Sequence, residues 1–134
     1  MSKKLILLFS HNLTKSQKEE AYRTLKITEL VSLPISLQNK WSNVPAESDD
    51  ISNYLSDISL WLKEVADNKD YILIQGDFGA TYFLVNIAFQ FKLIPVYSTT
   101  ERIHEEVLKQ DGALEMKKIF KHVKYRKYKN NSKL

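Results

Sequence analysis

Tyr71-Ile72-Leu73-Ile74-Gln75-Gly76-Asp77-Phe78-Gly79-Ala80-Thr81 is the stretch from which the fold is read. Four apolar residues in a row suit a strand buried on both faces, as in a parallel sheet. Two glycines then break the run, and Tyr82 to Phe91 reads as a helix that is apolar on most of its sides. Strand, glycine-containing loop and helix form the repeating unit of an α/β protein.

The pattern before this unit agrees with it. Leu5 to Phe9 is a second continuous apolar run, followed at once by polar Ser10, His11 and Asn12. Thr14 and Gln17 have capping-box spacing, and Ala21, Tyr22 and Leu25 then share a helix face. Glu29 to Leu33 reads as the second strand, and Pro34 suits the start of a short helix ending near Trp41. After a loop over Ser42 to Asp50, Ile51, Tyr54, Leu55, Ile58, Trp61, Leu62 and Val65 recur at spacings of three and four, a strongly amphipathic helix.

Beyond the glycine unit, Leu93 to Tyr97 is expected as a fourth strand, although Pro95 cannot donate a ladder hydrogen bond. Alternation from Arg102 through Val107, a turn at Asp111-Gly112 and further alternation from Met116 to Phe120 predict an appended β-hairpin. A final alternating piece covers His122 to Tyr128. The expected architecture is a Rossmann-like, mainly parallel sheet with helices on both faces and a C-terminal β-hairpin. Residues 1–128 make one domain in this reading, and 129–134 a flexible basic tail.

Composition narrows the function classes. The 134 residues suffice for one core, and the absence of cysteine removes disulfides, thiolate nucleophiles and cysteine-ligated zinc. The apolar run after Lys3 and Lys4 is too short for a signal peptide, and the longest uncharged stretch falls short of the roughly 20 residues of a membrane span. A cytoplasmic protein that does not enter the membrane is therefore expected. The formal charge of +4 is uneven: residues 117–134 hold eight Lys or Arg and no acid, leaving a net −4 elsewhere. Such a tail suits a polyanion such as RNA, or simply a solubilising surface.

In a doubly wound sheet, ligands bind beyond the carboxyl ends of the strands where the strand order reverses, normally after strands one and three in a flavodoxin-like order. This points to the loops starting at Ser10 and Gln75. Gly76 and Gly79 permit close backbone approach, and Asp77 and Thr81 flank a helix start whose free amides favour phosphate. The competing reading is a tight turn with Asp77 as N-cap. Ser10, His11 and Asn12 supply a hydroxyl, a group that titrates near neutral pH and an amide. Thr99, Thr100 and Arg102 follow the fourth strand and could hold a phosphate, or form a polar lead into the hairpin. Trp41 either stacks on a base or packs against the third helix. His11, His104 and His122 lack metal-ligand spacing, so no metal or other cofactor is expected. No serine sits between glycines at a strand-to-helix turn, which argues against acyl-transfer chemistry.

Several segments together carry a resemblance: Leu-Leu-Phe-Ser-His at 7–11, Leu-Pro at 33–34, Trp-Ser-Asn at 41–43 and Gln-Gly-Asp-Phe-Gly-Ala-Thr at 75–81. Ile-Pro-Val-Tyr-Ser-Thr-Thr at 94–100 and Phe-Lys-His-Val-Lys-Tyr-Arg-Lys-Tyr at 120–128 extend it along nearly the whole chain. The chain resembles small CRISPR-associated proteins of the Csx type from type III systems, related to CARF domains that sense cyclic oligoadenylates. The resemblance implies a homodimeric ring nuclease that linearises cyclic tetra-adenylate and switches off the signal. It implies 2′-hydroxyl attack without a metal, and no stable partnership with long nucleic acid. Ser10 matches the serine that related ring nucleases place after the first strand. Their lysine has no counterpart legible here, with Arg102 or His11 as replacements.

On this reading Ser10, His11 and Asp77 serve the chemistry. Asn12, Trp41, Gln75, Gly76, Phe78, Gly79, Thr81, Thr99, Thr100 and Arg102 bind the ring. Two alternatives stand beside it: a non-catalytic sponge or sensor for the same ligand, and an RNA-binding or interaction domain using the basic tail.

Overall fold

A computed structural model describes residues 3–131. It contains five strands and four helices in the order β1 (Lys4–Leu8), α1 (Lys15–Thr24), β2 (Glu29–Ser32), α2 (Ile35–Ser42), α3 (Ser56–Val65), β3 (Tyr71–Ile74), α4 (Phe78–Gln90), β4 (Ile94–Leu108) and β5 (Leu114–Lys127). The sheet order is β2-β1-β3-β4-β5. The first four strands are parallel, and β5 runs antiparallel to β4. The expected α/β architecture is therefore present. Its order reverses at β1, with β2 on one side and β3 on the other, so the crevice falls between the ends of β1 and β3.

Alternate residues of each strand feed two cores. Ile6, Leu8, Ile72 and Ile74 join Trp41, Ile58, Leu62, Ala80, Leu84 and Ala88 on the face covered by α2, α3 and α4. Leu5, Leu73, Val96 and Tyr125 join Ala21 of α1 on the other. Burial on both faces explains why the apolar runs are continuous. No helix among the described residues is long and apolar enough to cross a membrane.

Several boundaries differ from the sequence reading for identifiable reasons. The capping box of α1 forms as expected, with Thr14 Oγ1 accepting from Gln17 N at 3.2 Å and Thr14 N donating to Gln17 Oε1 at 2.8 Å. Helix α3 starts at Ser56 rather than Ile51, because Asp50 Oδ1 accepts from Ser52 N and Oγ and holds the entry as a turn. Helix α4 starts at Phe78 rather than Tyr82, because Asp77 Oδ2 accepts from Ala80 N at 3.0 Å and caps it. Gly79 and Thr81 consequently lie in the first helical turn and not in a loop.

The largest difference concerns β4, which does not stop at Tyr97. Pairing with β5 carries it on to Leu108, with one register shift between Thr99 and Thr100, where Val123 is the extra residue on β5. The expected hairpin and the final strand are thus one long ribbon. Its outer part is exposed on both faces and closes on a turn with Gly112 at φ +84°. Lysines 117, 118 and 121 sit on its free edge, where charge discourages further strand pairing. Pro95 is accommodated because β5 ends beside it: the ladder's last pair is Val96 with Lys127, and Pro95 O still accepts from Tyr128 N at 3.0 Å. Of the expected tail, residues 132–134 lie outside the described residues.

Candidate functional site

Two side chains of α2, three residues apart and so on one helix face, tie down both loops at the crevice. Gln38 Nε2 donates to Phe9 O at 2.7 Å, and Trp41 Nε1 donates to Gln75 O at 3.0 Å. Gln75 N in turn donates to Leu8 O at 3.1 Å. The backbone leaving β1 is thereby locked to the backbone leaving β3. Ser10, His11 and Asn12 project from the first of these loops and are exposed, with the His11 ring edge-on to Phe9 at 5.5 Å.

A cleft of about 540 Å³ opens there, lined by Ser10, His11, Asn12, Lys18, Ser32 and Gln38 among others. It adjoins a smaller hollow of about 230 Å³ formed by Phe9, Ser10, His11, Gln75 and Gly76. Gln75 and Gly76 also line a third hollow with Phe78 and Thr81. The shared residues make one furrow along the carboxyl edge of the sheet. Lys18, which no motif in the sequence singles out, brings a cation to this cleft. It lies on α1, eight residues after Ser10, and the turn between β1 and α1 brings it back to the same cleft.

Other expected residues take different places. Trp41 is 1% exposed and packed in the core, so it does not stack on a ligand. Its ring also explains Gly76: a Cβ there would lie 2.9 Å from Trp41 Cε2 and Nε1. Asp77 is engaged as the α4 cap, as the competing reading had it. Thr99 spends its hydroxyl on the β5 backbone, donating to Lys124 O and accepting from Lys124 N. Thr99, Thr100 and Arg102 lie within the extended strand, not in a loop, because pairing with β5 continues past Tyr97. Arg102 instead sits over the Phe120 ring at 5.3 Å. Gly79 is exposed in the first turn, where an added Cβ would stand at an ordinary contact distance of 3.5 Å from Ile51 Cδ1 and Asp77 Oδ2.

Behind Gln75 lies a buried polar chain joining residues far apart in sequence. The capping box fixes the Gln17 amide, so its Nε2 faces Ser98 and donates to Ser98 Oγ at 3.3 Å. Ser98 Oγ lies 2.5 Å from His122 Nδ1, and His122 Nε2 meets Glu20 Oε1. Glu20 Oε2 accepts from Thr24 Oγ1 and Tyr125 N. Ser98 Oγ, accepting from Gln17, can donate to His122 Nδ1, and His122 Nε2 can donate to Glu20 Oε1, so the chain runs from donor to acceptor. Burial and the Glu20 charge push the Tyr125 phenol well above its usual range, so it stays protonated and donates to Gln17 O. Ser98 is 7% exposed, and the His122 and Glu20 side chains 5% and 10%. This serine, histidine and carboxylate are sealed from a substrate, and their effect on the site is indirect: Ser98 N donates to Gln75 Oε1 at 2.7 Å and orients that amide.

Thr81 Oγ1 is the buried side-chain oxygen that lacks a hydrogen-bond partner among the described residues. Leaving such a hydroxyl unsatisfied costs about 1–3 kcal/mol. Among the same residues no three His, Asp or Glu side chains converge as metal ligands.

Comparison with known proteins places the chain. No solved structure matches it. "Uncharacterized protein MJ1673" of Methanocaldococcus jannaschii is 50% identical over 125 residues, covering 93% of this chain and 96% of the relative. The profile of the family described as "Uncharacterized protein MJ1673 family" matches residues 3–126. That match covers the sheet, the crevice loops and nearly all of β5, and the chain belongs to the MJ1673 family.

Proposed function

We propose that the protein binds cyclic tetra-adenylate along the carboxyl edge of its sheet and linearises it without a metal, ending a type III CRISPR signal. The observation that carries this reading is the gathering of Ser10, His11 and Lys18 in one cleft that adjoins Gln75 and Gly76. The resemblance calls for a serine and a lysine together, and Lys18 supplies the missing cation.

In the proposed step the ribose 2′-oxygen attacks the adjacent phosphorus and the P–O5′ bond breaks, leaving a 2′,3′-cyclic phosphate and a 5′-hydroxyl. The 2′-hydroxyl proton departs and the 5′-oxygen gains one. His11 serves as the proton-transfer group, Ser10 orients the phosphate, and Lys18 offsets the charge that grows on the phosphoryl oxygens. A four-fold ring contains a two-fold axis, so two copies presenting the same loops fit it, with Tyr82 on the exposed face of α4 available to the contact. The cytoplasm is the compartment where such a ligand would be met.

The test is multiple-turnover incubation with cyclic tetra-adenylate in EDTA, followed by chromatography of ring and linear products. The wild type converts the ring, and Ser10→Ala combined with His11→Ala, or Lys18→Ala alone, loses about 10²-fold or more in rate. Unchanged turnover in these variants would sink the assignment.

A second reading, sequestration of the ring without cleavage, is favoured by two observations: Asp77 is engaged as a helix cap, and Arg102 is directed to Phe120. Stoichiometric recovery of intact ring with the protein would establish it.

A further inference from the structure

On the α4 side of Gln75 the furrow continues into a hollow of about 300 Å³ lined by Gln75, Gly76, Phe78, Thr81, Tyr97 and Tyr128. Tyr97 and Tyr128 also line an adjoining hollow of about 450 Å³ with Arg126, Lys127 and Lys129. The two tyrosine rings are 4.8 Å apart, and Tyr128 Oη is anchored by donation to Ile74 O at 2.7 Å. Arg126 Nη1 donates to Tyr97 Oη at 3.0 Å, which fixes the second ring. Phe78 leaves 93% of its surface in water, a position that folding does not reward. Thr81 Oγ1 is buried in the wall without a partner among the described residues.

These features share one chemistry. Fixed aromatic faces take a planar heteroaromatic ring. A hydroxyl with both donor and acceptor capacity can read that ring's edge, and the cations of β5 and the residues after it suit an attached phosphate. An apolar peptide side chain would use the rings but neither the hydroxyl nor the cationic rim. Two strand spacings, about 10 Å, separate the end of β1 from Tyr97, the position level with it on β4. One nucleotide can therefore bridge from the Ser10 cleft to this hollow.

We propose that the hollow formed by Phe78, Tyr97, Tyr128 and Thr81 is a nucleobase subsite, with Arg126 and Lys129 at its phosphate rim. In identifying the base as the adenine of a cyclic oligoadenylate, the assignment rests on the proposed function. The subsite itself is testable with mononucleotides.

The experiment titrates the full chain calorimetrically with AMP and with ribose 5-phosphate, which lacks only the base. Wild type should bind AMP about tenfold or more tightly than ribose 5-phosphate, the lower part of what stacking on aromatic side chains supplies. Phe78→Ala, at a position the fold does not bury, and Tyr97→Leu should each collapse that ratio towards one. Thr81→Val should weaken AMP several-fold yet raise the melting temperature, opposite signs that a purely structural role would not produce.

Equal affinity for the two ligands in wild type, no detectable binding of either, or a ratio that survives Phe78→Ala and Tyr97→Leu would overturn the proposal. Turnover of cyclic tetra-adenylate separates this from the parent reading. Turnover without an AMP preference removes the subsite alone, and an AMP preference without turnover removes ring cleavage alone.

Discussion

Replacing Gly76 with alanine tests whether that glycine serves ligand approach or the packing of Trp41. Gly76 is outside the left-handed region, so alanine can adopt its backbone conformation. The obstacle is space. The new methyl would lie 2.9 Å from Trp41 Cε2 and Nε1 and 3.0 Å from Cζ2, about 0.5 Å inside ordinary contact. Trp41 cannot retreat easily, because it is 1% exposed and its Nε1 is bonded to Gln75 O. Overpacking of this kind costs about 1–3 kcal/mol, of which a glycine-to-alanine change recovers about 0.4–1 through the unfolded chain. The expected net loss is about 1–2 kcal/mol, a fall in melting temperature of about 3–8 °C for a domain of this size. Urea unfolding followed by tryptophan fluorescence reads it. In a Trp41→Phe background the indole edge is gone, and the same alanine should cost about 1 kcal/mol less. Equal costs in the two backgrounds would refute the packing argument. A loss below about 0.5 kcal/mol in wild type would return Gly76 to a role in ligand approach alone.

Glu20→Ala should destabilise by about 3 kcal/mol, since it strands His122 and leaves Tyr125 N and Thr24 without their carboxylate acceptor; a denaturation midpoint close to wild type would show that the buried chain is not structural. Stability should be level up to about pH 10 and then decline. Burial, with Tyr97 adding to it, raises the Tyr128 phenol from 10.0 to about 12, Tyr125 lies higher still, and the Lys4 ammonium is raised chiefly by its hydrogen bond to Asp67. All three folded values exceed the unfolded ones, so their stabilisation is complete below the unfolded values and is lost as pH rises through the folded ones. Urea midpoints that stay level through pH 11 would contradict this. Joining Glu101 to Lys121 through Asn-Gly removes the exposed outer ribbon at a directly paired position, and should change unfolding free energy by less than about 1 kcal/mol. A larger loss by the same denaturation would show that the ribbon packs on the body of the protein.

Much of the fold is a local matter and was legible in the residues. Continuous apolar runs at 5–9 and 71–74 mark strands buried on both faces, Thr14 and Gln17 mark a helix start, and their alternation dictates a doubly wound sheet with its crevice after Ser10 and Gln75. These features depend on burial pattern and backbone preference within a few residues, which is the information a short segment carries. The long ribbon was only partly visible, because where β4 stops depends on what pairs with it. The start of helix α4 is not set by its own residues, because Asp77 can equally cap a helix or face a ligand, and its bond from Ala80 N decides between them. The placement of Lys18 beside Ser10, of Trp41 against Gly76 and of Glu20, Ser98 and His122 in one hydrogen-bonded chain was decided by tertiary structure alone. Those contacts follow from sheet order, strand register and the seating of helices on its faces, which bring together residues whose separation along the chain is set by none of their own local preferences.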